Sequence, residues 1–189
     1  MQFSVGDRVV HPHHGPGRIT GVERREFLDG KKLYYEIEIP IQDLIVYLPR
    51  GAMKEIGVRP AMSRTRLPRV LARLRSKPRH LPQDFKQRQE EVWERLSTGR
   101  VMQLAEVVRD LMWHQKRDHL TKKDADYLAR AKSRLAAEMA LVSGAEASDM
   151  EKTIQDTMSA AILSTVERER RHQRFVQVTG LPRGQKQGS

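Results

Sequence analysis

Residues 34–48, Tyr-Tyr-Glu-Ile-Glu-Ile-Pro-Ile-Gln-Asp-Leu-Ile-Val-Tyr-Leu, place two runs of strand-forming residues on either side of a turn. The period of two in the first run predicts antiparallel strands. Outward from this stretch, residues 8–10 and 18–22 have the same pattern, and Asp29-Gly30 is typical of a type I′ hairpin turn. Four or five short strands without room for a helix predict a small SH3-like or Tudor-like β-barrel, usually a binding module.

The remainder of the chain has the period of a helix. From Leu67 onward apolar residues recur every three or four positions, and we expect about five helices. Thr121-Lys-Lys-Asp124 and Ser148-Asp-Met-Glu151 are candidate capping boxes for the fourth and fifth helices, and Gly144 ends the fourth. Pro82 suits the first turn of the second helix.

The predicted fold class is therefore α+β, with a small N-terminal β-barrel followed by an all-helical C-terminal domain. We place the barrel in residues 1–60 and the helical domain in residues 61–166. Residues 167–189 form a basic tail that is expected to be disordered, above all residues 180–189. The alternative for residues 167–174 is that they prolong the fifth helix into solvent.

The positive charge of the chain is concentrated in one segment. The chain carries 35 Lys and Arg against 24 Asp and Glu, a net charge of +11. Residues 61–100 hold 11 basic and 4 acidic side chains, so they contribute +7 of that charge. Nucleic acid is the expected counter-charge. The alternative is a basic surface that only keeps the protein in solution.

Composition excludes several classes of function. The absence of cysteine excludes disulfides, thiolate catalysis and Cys-ligated zinc. The sequence has no phosphate-loop motif, paired carboxylates or nucleophile motif, so we expect a non-enzymatic protein without a cofactor. No run reaches the roughly 18 apolar residues of a membrane span. Since the chain also lacks an apolar signal segment, we expect a cytoplasmic protein without membrane contact.

Three histidines lie close together in residues 11–17, His-Pro-His-His-Gly-Pro-Gly. A zinc site built from histidine needs ligands that converge from a folded frame, and no fourth ligand is evident nearby. We therefore expect no metal here and interpret the loop as a turn shaped by its prolines and glycines.

Residues 5–15, Val-Gly-Asp-Arg-Val-Val-His-Pro-His-His-Gly, resemble the opening of the CarD family of bacterial transcription regulators. The first module of that family is shared with transcription-repair coupling factors. Val46-Tyr-Leu-Pro49 is similar to the segment that closes this module, and Leu104-Ala-Glu-Val-Val-Arg-Asp-Leu111 extends the resemblance into the helical part. The resemblance covers residues 1 to about 163, in order.

The resemblance implies a partner for each module. In the family, the first module binds the β subunit of RNA polymerase through an exposed strand edge and nearby side chains. By carry-over, the contact residues here are Arg25, Val46, Tyr47 and Leu48. Tyr47 stands where relatives can carry an arginine, so the contact is expected to be altered. The helical module of the family contacts promoter DNA near the upstream edge of the melted region.

In the family, an aromatic side chain of the helical module enters the minor groove, where it replaces base stacking that the DNA has lost. That position, usually tryptophan, falls on Phe85, and the basic residues near it are Lys77, Arg79, Lys86 and Arg88. No base-specific hydrogen bonds are needed, because lysine and arginine hold phosphates. Phenylalanine has a smaller ring without an N–H donor, so we expect a weaker DNA contact.

The helical period leaves open which aromatic side chain is exposed. Phe85 lies seven residues before Val92, on the apolar stripe that continues to Leu96, and by period alone it is a core residue. Protrusion from the first turn of its helix is the alternative that we favour. Trp93 is the third possibility, because it lies off that stripe.

These features predict a transcription regulator, monomeric when free, that binds RNA polymerase with one module and promoter DNA with the other. Its expected effect is to stabilise the open complex. The alternative is an RNA-binding or ribosome-associated factor, because residues 6–10 and 15–22 also resemble the KOW-like barrel motif of ribosomal and elongation proteins.

Overall fold

The computed structural model describes residues 2–27 and 30–179. It begins with a five-stranded antiparallel sheet of spatial order β4-β3-β2-β1-β5 and continues with helices. The strands are β1 Arg8–His11, β2 Gly15–Phe27, β3 Gly30–Ile39, β4 Leu44–Pro49 and β5 Arg59–Pro60. The predicted α+β class is confirmed. Asp29 of the predicted hairpin turn lies outside the described residues.

One face of β3 supplies much of the core of the sheet. Tyr35, Ile37 and Ile39 have no exposed surface and alternate with glutamates on the other face. Burying each such side chain contributes about 1.5–3 kcal/mol, and this sets the register of β3 because a slip by one residue would expose all three. Gly17 is required where β2 crosses β3, since a Cβ atom there would overlap the Glu38 carbonyl oxygen.

Helix α1, Met53–Ile56, is a single turn near the end of the sheet module. Five longer helices follow in the described part of the chain: α2 Leu67–Arg75, α3 Phe85–Ser97, α4 Val101–Arg117, α5 Lys122–Ser143 and α6 Ala147–Thr179. Their apolar stripes share one core. Thr121 and Asp124 form the predicted capping box of α5, and Gly144 ends that helix with a φ of 80°. No helix within residues 2–27 and 30–179 has an apolar stretch long enough to cross a membrane.

Helix α3 begins later than the sequence prediction. Its first residue is Phe85 rather than Pro82, because the Asp84 carboxylate accepts the backbone N–H of Gln87 and acts as the N-cap. Phe85 is therefore the first helical residue, which determines how its side chain is presented.

Helix α6 also differs from the prediction at both ends. It begins at Ala147, so Ser148 lies inside the helix and does not cap it. Residues 167–179 continue α6, so the expected disorder does not hold there, and the alternative of a fifth helix prolonged through residues 167–174 is confirmed. Arginine and glutamate are good helix formers, and Glu167 pairs with Arg171 one turn later. The rest of the predicted tail, residues 180–189, lies outside the described residues.

Helix α5 packs against β1 and β2 and joins the two parts of the chain. Its Glu138 side chain is only 1% exposed and accepts both Nη groups of Arg59, at 2.9 and 2.8 Å, and the backbone N–H of Met62 at 2.9 Å. Arg134 of α5 donates to the His13 carbonyl oxygen at 3.0 Å. These polar contacts fix the sheet on the helices.

The histidine loop is organised around a buried ring. The Nδ1 atom of His11 accepts the backbone N–H groups of His13 and His14, at 3.1 and 3.2 Å. Burial first, and then the neighbouring His14 and His13 rings, lower the pKa of His11 to about 4. His11 is therefore neutral at physiological pH and shapes the turn. No group of three potential metal ligands occurs among the residues that the structure describes.

The pKa of His11 predicts a loss of stability in acid. The unfolded chain binds a proton near the ordinary pKa of 6.5 and the folded chain only near 4, so stability is complete above pH 6.5 and falls towards pH 4. The stability that the protein can lose through His11 is at most roughly 3 kcal/mol, since one pKa unit corresponds to about 1.4 kcal/mol. His11→Asn keeps an acceptor at this position but does not titrate, so it should weaken the pH dependence of the free energy of unfolding. Urea denaturation at pH 7 and pH 4.5 measures this.

The control for this experiment is His13→Asn, which changes an exposed ring of the same loop. It should keep most of the pH dependence of the wild type, because the His13 ring is the smallest of the three causes that lower the pKa of His11. The assignment to His11 is wrong if the His11→Asn variant loses as much stability in acid as the wild type does.

Candidate polymerase and nucleic-acid interfaces

Strand β4 forms one edge of the sheet, and two of the predicted polymerase-binding residues meet beside it. The Tyr47 hydroxyl donates to Glu36 Oε2 at 3.0 Å, and the Arg25 guanidinium carbon lies 3.4 Å from the centre of the Tyr47 ring. Arg25 also pairs with Glu23 at 2.9 Å. Hydrogen bonds donated by Thr20 and then Tyr47 lower the pKa of Glu36 below its usual range. We call Glu23, Arg25, Glu36 and Tyr47 the Arg25–Tyr47 cluster.

The side chains of Val46 and Leu48 pack against the core of the sheet. Leu48 is buried in the core of the sheet, and Val46 is half-buried against it. Their side chains therefore stabilise the module, and the contact predicted at this strand edge stays a prediction. Ile45, which sequence analysis did not select, is 52% exposed. The signal was available, because residues two apart on a strand share a face and Ile45 is two residues before Tyr47.

Phe85 projects from the beginning of α3. Its ring is 48% exposed and is not a core residue, and the Lys86 side chain beside it is also exposed. Trp93, about two turns further along the helix, is 46% exposed, but its ring stacks on Tyr127 of α5 with 5.8 Å between the ring centres. Both candidate aromatics are thus at the surface.

Arg88, which was predicted to contact DNA, is buried and 3% exposed. Its Nη2 and Nε groups donate to Asp124 Oδ2 at 2.8 and 3.2 Å, and Nη1 donates to the carbonyl oxygens of Pro82 and Gln83 at 2.9 and 3.0 Å. Burial disfavours the charge of Asp124, but the hydrogen bonds from Arg88 and Thr121 outweigh it and lower the pKa. A guanidinium with these partners is not free to bind phosphate. The helical period could have predicted this burial, because Arg88 lies four residues before the core residue Val92 and therefore on the same face of α3.

Further polar contacts hold α3 and the loop before it. Gln89 Nε2 donates to Thr121 Oγ1 at 3.0 Å, and Arg95 Nη1 donates to Asp110 Oδ2 at 2.8 Å. The other oxygen of Asp110 accepts the backbone N–H of Arg79 at 2.9 Å. The segment that carries the exposed aromatic and basic side chains is thereby bonded to both α4 and α5.

Lys77 and Arg79 have exposed side chains in the loop between α2 and α3. Lys77 lines a cleft of about 670 Å³ between this loop and α6. Arg75 and Arg168 line the same cleft, and neither was predicted as a site residue. Arg168 was missed because its segment was interpreted as a basic tail beyond the helical domain, although it lies in α6.

Both parts of the chain match models of known families. Residues 3–62 match the CarD-like/TRCF RID domain, and residues 69–155 match the CarD C-terminal domain. The putative transcription factor YdeB of Bacillus subtilis (strain 168) is 32% identical over 144 residues, which cover 75% of this chain and 93% of YdeB. The chain belongs to the CarD family. The solution NMR structure of the 72-residue N-terminal domain of Myxococcus xanthus CarD is 32% identical in sequence and covers 31% of this chain and 79% of that chain, with a TM-score of 0.28.

Membership of the CarD family confirms the resemblance seen in the sequence and makes this chain a member of a family of transcription factors that interact with RNA polymerase. The match to the CarD C-terminal model ends at residue 155, whereas α6 continues to Thr179. Residues 167–175 of α6, which are exposed and include Arg168, therefore lie beyond the matched part of the chain.

Proposed function

We propose that this CarD-family protein stabilises the open complex of RNA polymerase by bridging the enzyme and promoter DNA. Residues 1–60 bind the β subunit, and residues 61–166 contact DNA near the upstream edge of the melted region. The observation that carries the proposal is the exposed Phe85 ring at the start of a helix bonded to the bundle through the buried Arg88–Asp124 ion pair. The protein acts as a monomer in the cytoplasm, without a cofactor or metal.

The edge strand β4 and the side chains beside it support the polymerase contact. An unpaired strand edge can add a strand from a partner, with main-chain hydrogen bonds giving affinity and alternate side chains giving specificity. Ile45 and Tyr47 lie on one face of β4, and Arg25 covers the Tyr47 ring. A partner strand would therefore meet the exposed Ile45 side chain and the Arg25–Tyr47 cluster next to the edge.

Phe85 and the nearby cations support the DNA contact. At the edge of the melted region a base has lost a stacking neighbour, and an inserted ring replaces it. A base–aromatic contact of this kind is worth roughly 1–3 kcal/mol. Lys77, Arg79 and Lys86 pair with phosphates and carry no sequence information, so binding would follow the state of the DNA more than its sequence.

Because the two modules are in contact, binding of polymerase by the first module strengthens the weak binding of promoter DNA by the second. Once the first module is bound to polymerase, the helical module meets promoter DNA at a high effective concentration. Free DNA should be bound weakly, whereas the open complex should gain the full contribution of the Phe85 contact.

Phe85→Ala should shorten the lifetime of open complexes on a ribosomal-type promoter by roughly fivefold or more, because one stacking contact is lost. Phe85 is half exposed, so the free energy of unfolding should stay within about 0.5 kcal/mol of the wild type. Arg25→Ala in the same assay should reduce both the lifetime and the capture of the β subunit in a pull-down. Phe85→Ala should leave that capture unchanged.

Trp93→Ala is the comparison variant, since Trp93 is the other exposed aromatic side chain on α3. A shorter lifetime with Trp93→Ala and an unchanged one with Phe85→Ala would assign the DNA contact to Trp93. An unchanged lifetime in every variant, with the protein bound to polymerase, would refute the proposed function.

A further inference from the structure

We infer that the cleft between the α2–α3 loop and α6 binds the phosphates of duplex DNA, so that α6 extends the DNA-contacting surface beyond the part matched by the CarD models. The inference rests on the proposed DNA contact and adds a second place of contact. Its residues are Arg75, Lys77 and Arg168, together with the groove that continues along α6.

Helix α6 leaves the helical core halfway along its length. Ile154 and Met158 are completely buried, and Ile162 is half-buried against the core. Every residue from 167 to 175 is exposed. With 33 residues, the helix is about 50 Å long at 1.5 Å per residue. Residues 167–175 therefore do not add to the core, and burial of apolar surface does not explain why the helix continues through them.

The cleft brings three cations together without a counter-ion. Arg75 and Lys77 lie on one side and Arg168 on the other, above a floor that includes Trp113 and Pro78. None of the described residues that line the cleft is acidic. Within residues 2–27 and 30–179, the three cationic groups have no hydrogen-bond or ion-pair partner. Like charges held together in a concave surface attract an anion.

The shape of the surface favours an extended polyanion over a single small anion. Thr165 and Arg168 line both the cleft and an adjoining groove, which also contains Arg171, His172 and one acidic residue, Glu169. The segment 167–174 carries four arginines against two glutamates. Its Glu167–Arg171 pair is exposed on both sides, and such pairs neutralise the surface only weakly. Duplex DNA presents a continuous row of phosphates that can follow such a surface.

The position of the cleft also favours DNA. Lys77 lies eight residues before Phe85, in the loop that leads to the exposed aromatic side chain. A phosphate contact at Lys77 and Arg168 would therefore adjoin the segment that contacts the promoter, and it would contribute on any sequence, because phosphate contacts do not read bases.

Arg168→Gln tests this inference in the full chain. Each phosphate contact contributes about 0.9 to the slope of log affinity against log salt concentration. Arg168→Gln should therefore bind a labelled duplex of arbitrary sequence roughly eightfold more weakly near 0.1 M salt and reduce the slope by about one. Arg170→Gln is the matched control, because it removes the same charge about 200° around the helix, outside the groove. It should keep the wild-type slope.

The outcomes separate this inference from the proposed function. Duplex binding with the same salt slope in the wild type and Arg168→Gln would overturn the cleft as a DNA contact and leave the Phe85 contact standing. An equal loss of slope in Arg168→Gln and Arg170→Gln would also overturn it, since total charge would then be the cause. If the wild type does not bind the duplex even at low salt, the cleft is not a DNA contact, and the Phe85 contact is then decided by the open-complex lifetime alone.

Discussion

Arg88→Met should lower the free energy of unfolding by about 3–5 kcal/mol at neutral pH. Asp124 has no exposed surface, and its carboxylate would lose the guanidinium that lies 2.8 Å away. The same change removes the hydrogen bonds to the carbonyl oxygens of Pro82 and Gln83, immediately before the helix that presents Phe85. The lifetime of the open complex should therefore fall even at temperatures where the variant remains folded.

Urea denaturation and the open-complex assay, carried out on the same samples, measure the two effects. The destabilisation should become smaller as the pH is lowered, because without Arg88 burial raises the pKa of Asp124 and the protonated acid carries no charge. Arg88→Met with Asp124→Leu should recover part of the stability, since an apolar pair can replace a buried ion pair, but the capping box of α5 is lost as well. It should not restore the lifetime, because the bonds to the two carbonyl oxygens remain absent.

Lys86→Met is the control for Arg88→Met, because it removes a positive charge from an exposed side chain of the same helix. It should shorten the lifetime modestly and leave the free energy of unfolding within about 0.5 kcal/mol of the wild type. An unchanged free energy of unfolding for Arg88→Met would contradict the prediction. It would show that the Arg88–Asp124 ion pair does not stabilise the packing of α3.

Arg59→Met should destabilise the protein by about 3 kcal/mol and uncouple the two modules. Glu138 is buried on α5 and accepts two hydrogen bonds from Arg59, whose Nη2 group also donates to the Gly99 carbonyl oxygen. Removing one partner leaves the other charge buried and unpaired. If bridging depends on a fixed relation between the modules, the open-complex lifetime should fall while capture of the polymerase β subunit persists.

Arg66→Met is the matched control. Arg66 lines the same cleft as Arg59, which lies between residues 59–66 and the start of α4, but its side chain is exposed. It should leave both stability and lifetime close to wild-type values. Arg59→Met with Glu138→Met should recover part of the stability, because no charge is left unpaired, although the Met62 N–H loses its acceptor. A lifetime that stays short in this double variant would then come from the lost connection between the modules and not from lost stability. A wild-type lifetime for Arg59→Met, with the expected loss of stability, would show that a fixed orientation of the modules is not needed for the function.

Local patterns in the sequence were sufficient to predict a structural feature when the residues that determine it lie within a few positions of each other. The alternation around Tyr35, Ile37 and Ile39 predicted a strand with one buried face, and that face is buried. Thr121 and Asp124 predicted the start of α5, because a capping box needs only residues three apart. The CarD resemblance also followed from ordered local motifs, and the family models confirm it.

The same patterns were insufficient for the candidate interfaces, which depend on distant partners. Arg88 was grouped with the exposed cations by its charge, but its carboxylate partner lies 36 positions away. Asp124 both caps α5 and pairs with Arg88, and only the first role is local. Val46 was grouped with Tyr47 by proximity in sequence, yet the two lie on opposite faces of β4.

The sequence by itself determined the α+β class, most of the strands and helices, the CarD family and the basic character of residues 61–100. Tertiary structure alone decided which of the cations are free to meet phosphate and which hold the fold, because a buried charge is stable only beside a partner that packing supplies. It also decided that Phe85 is exposed. The period placed Phe85 on the core stripe, but at the first position of α3 no other part of the described chain covers it fully.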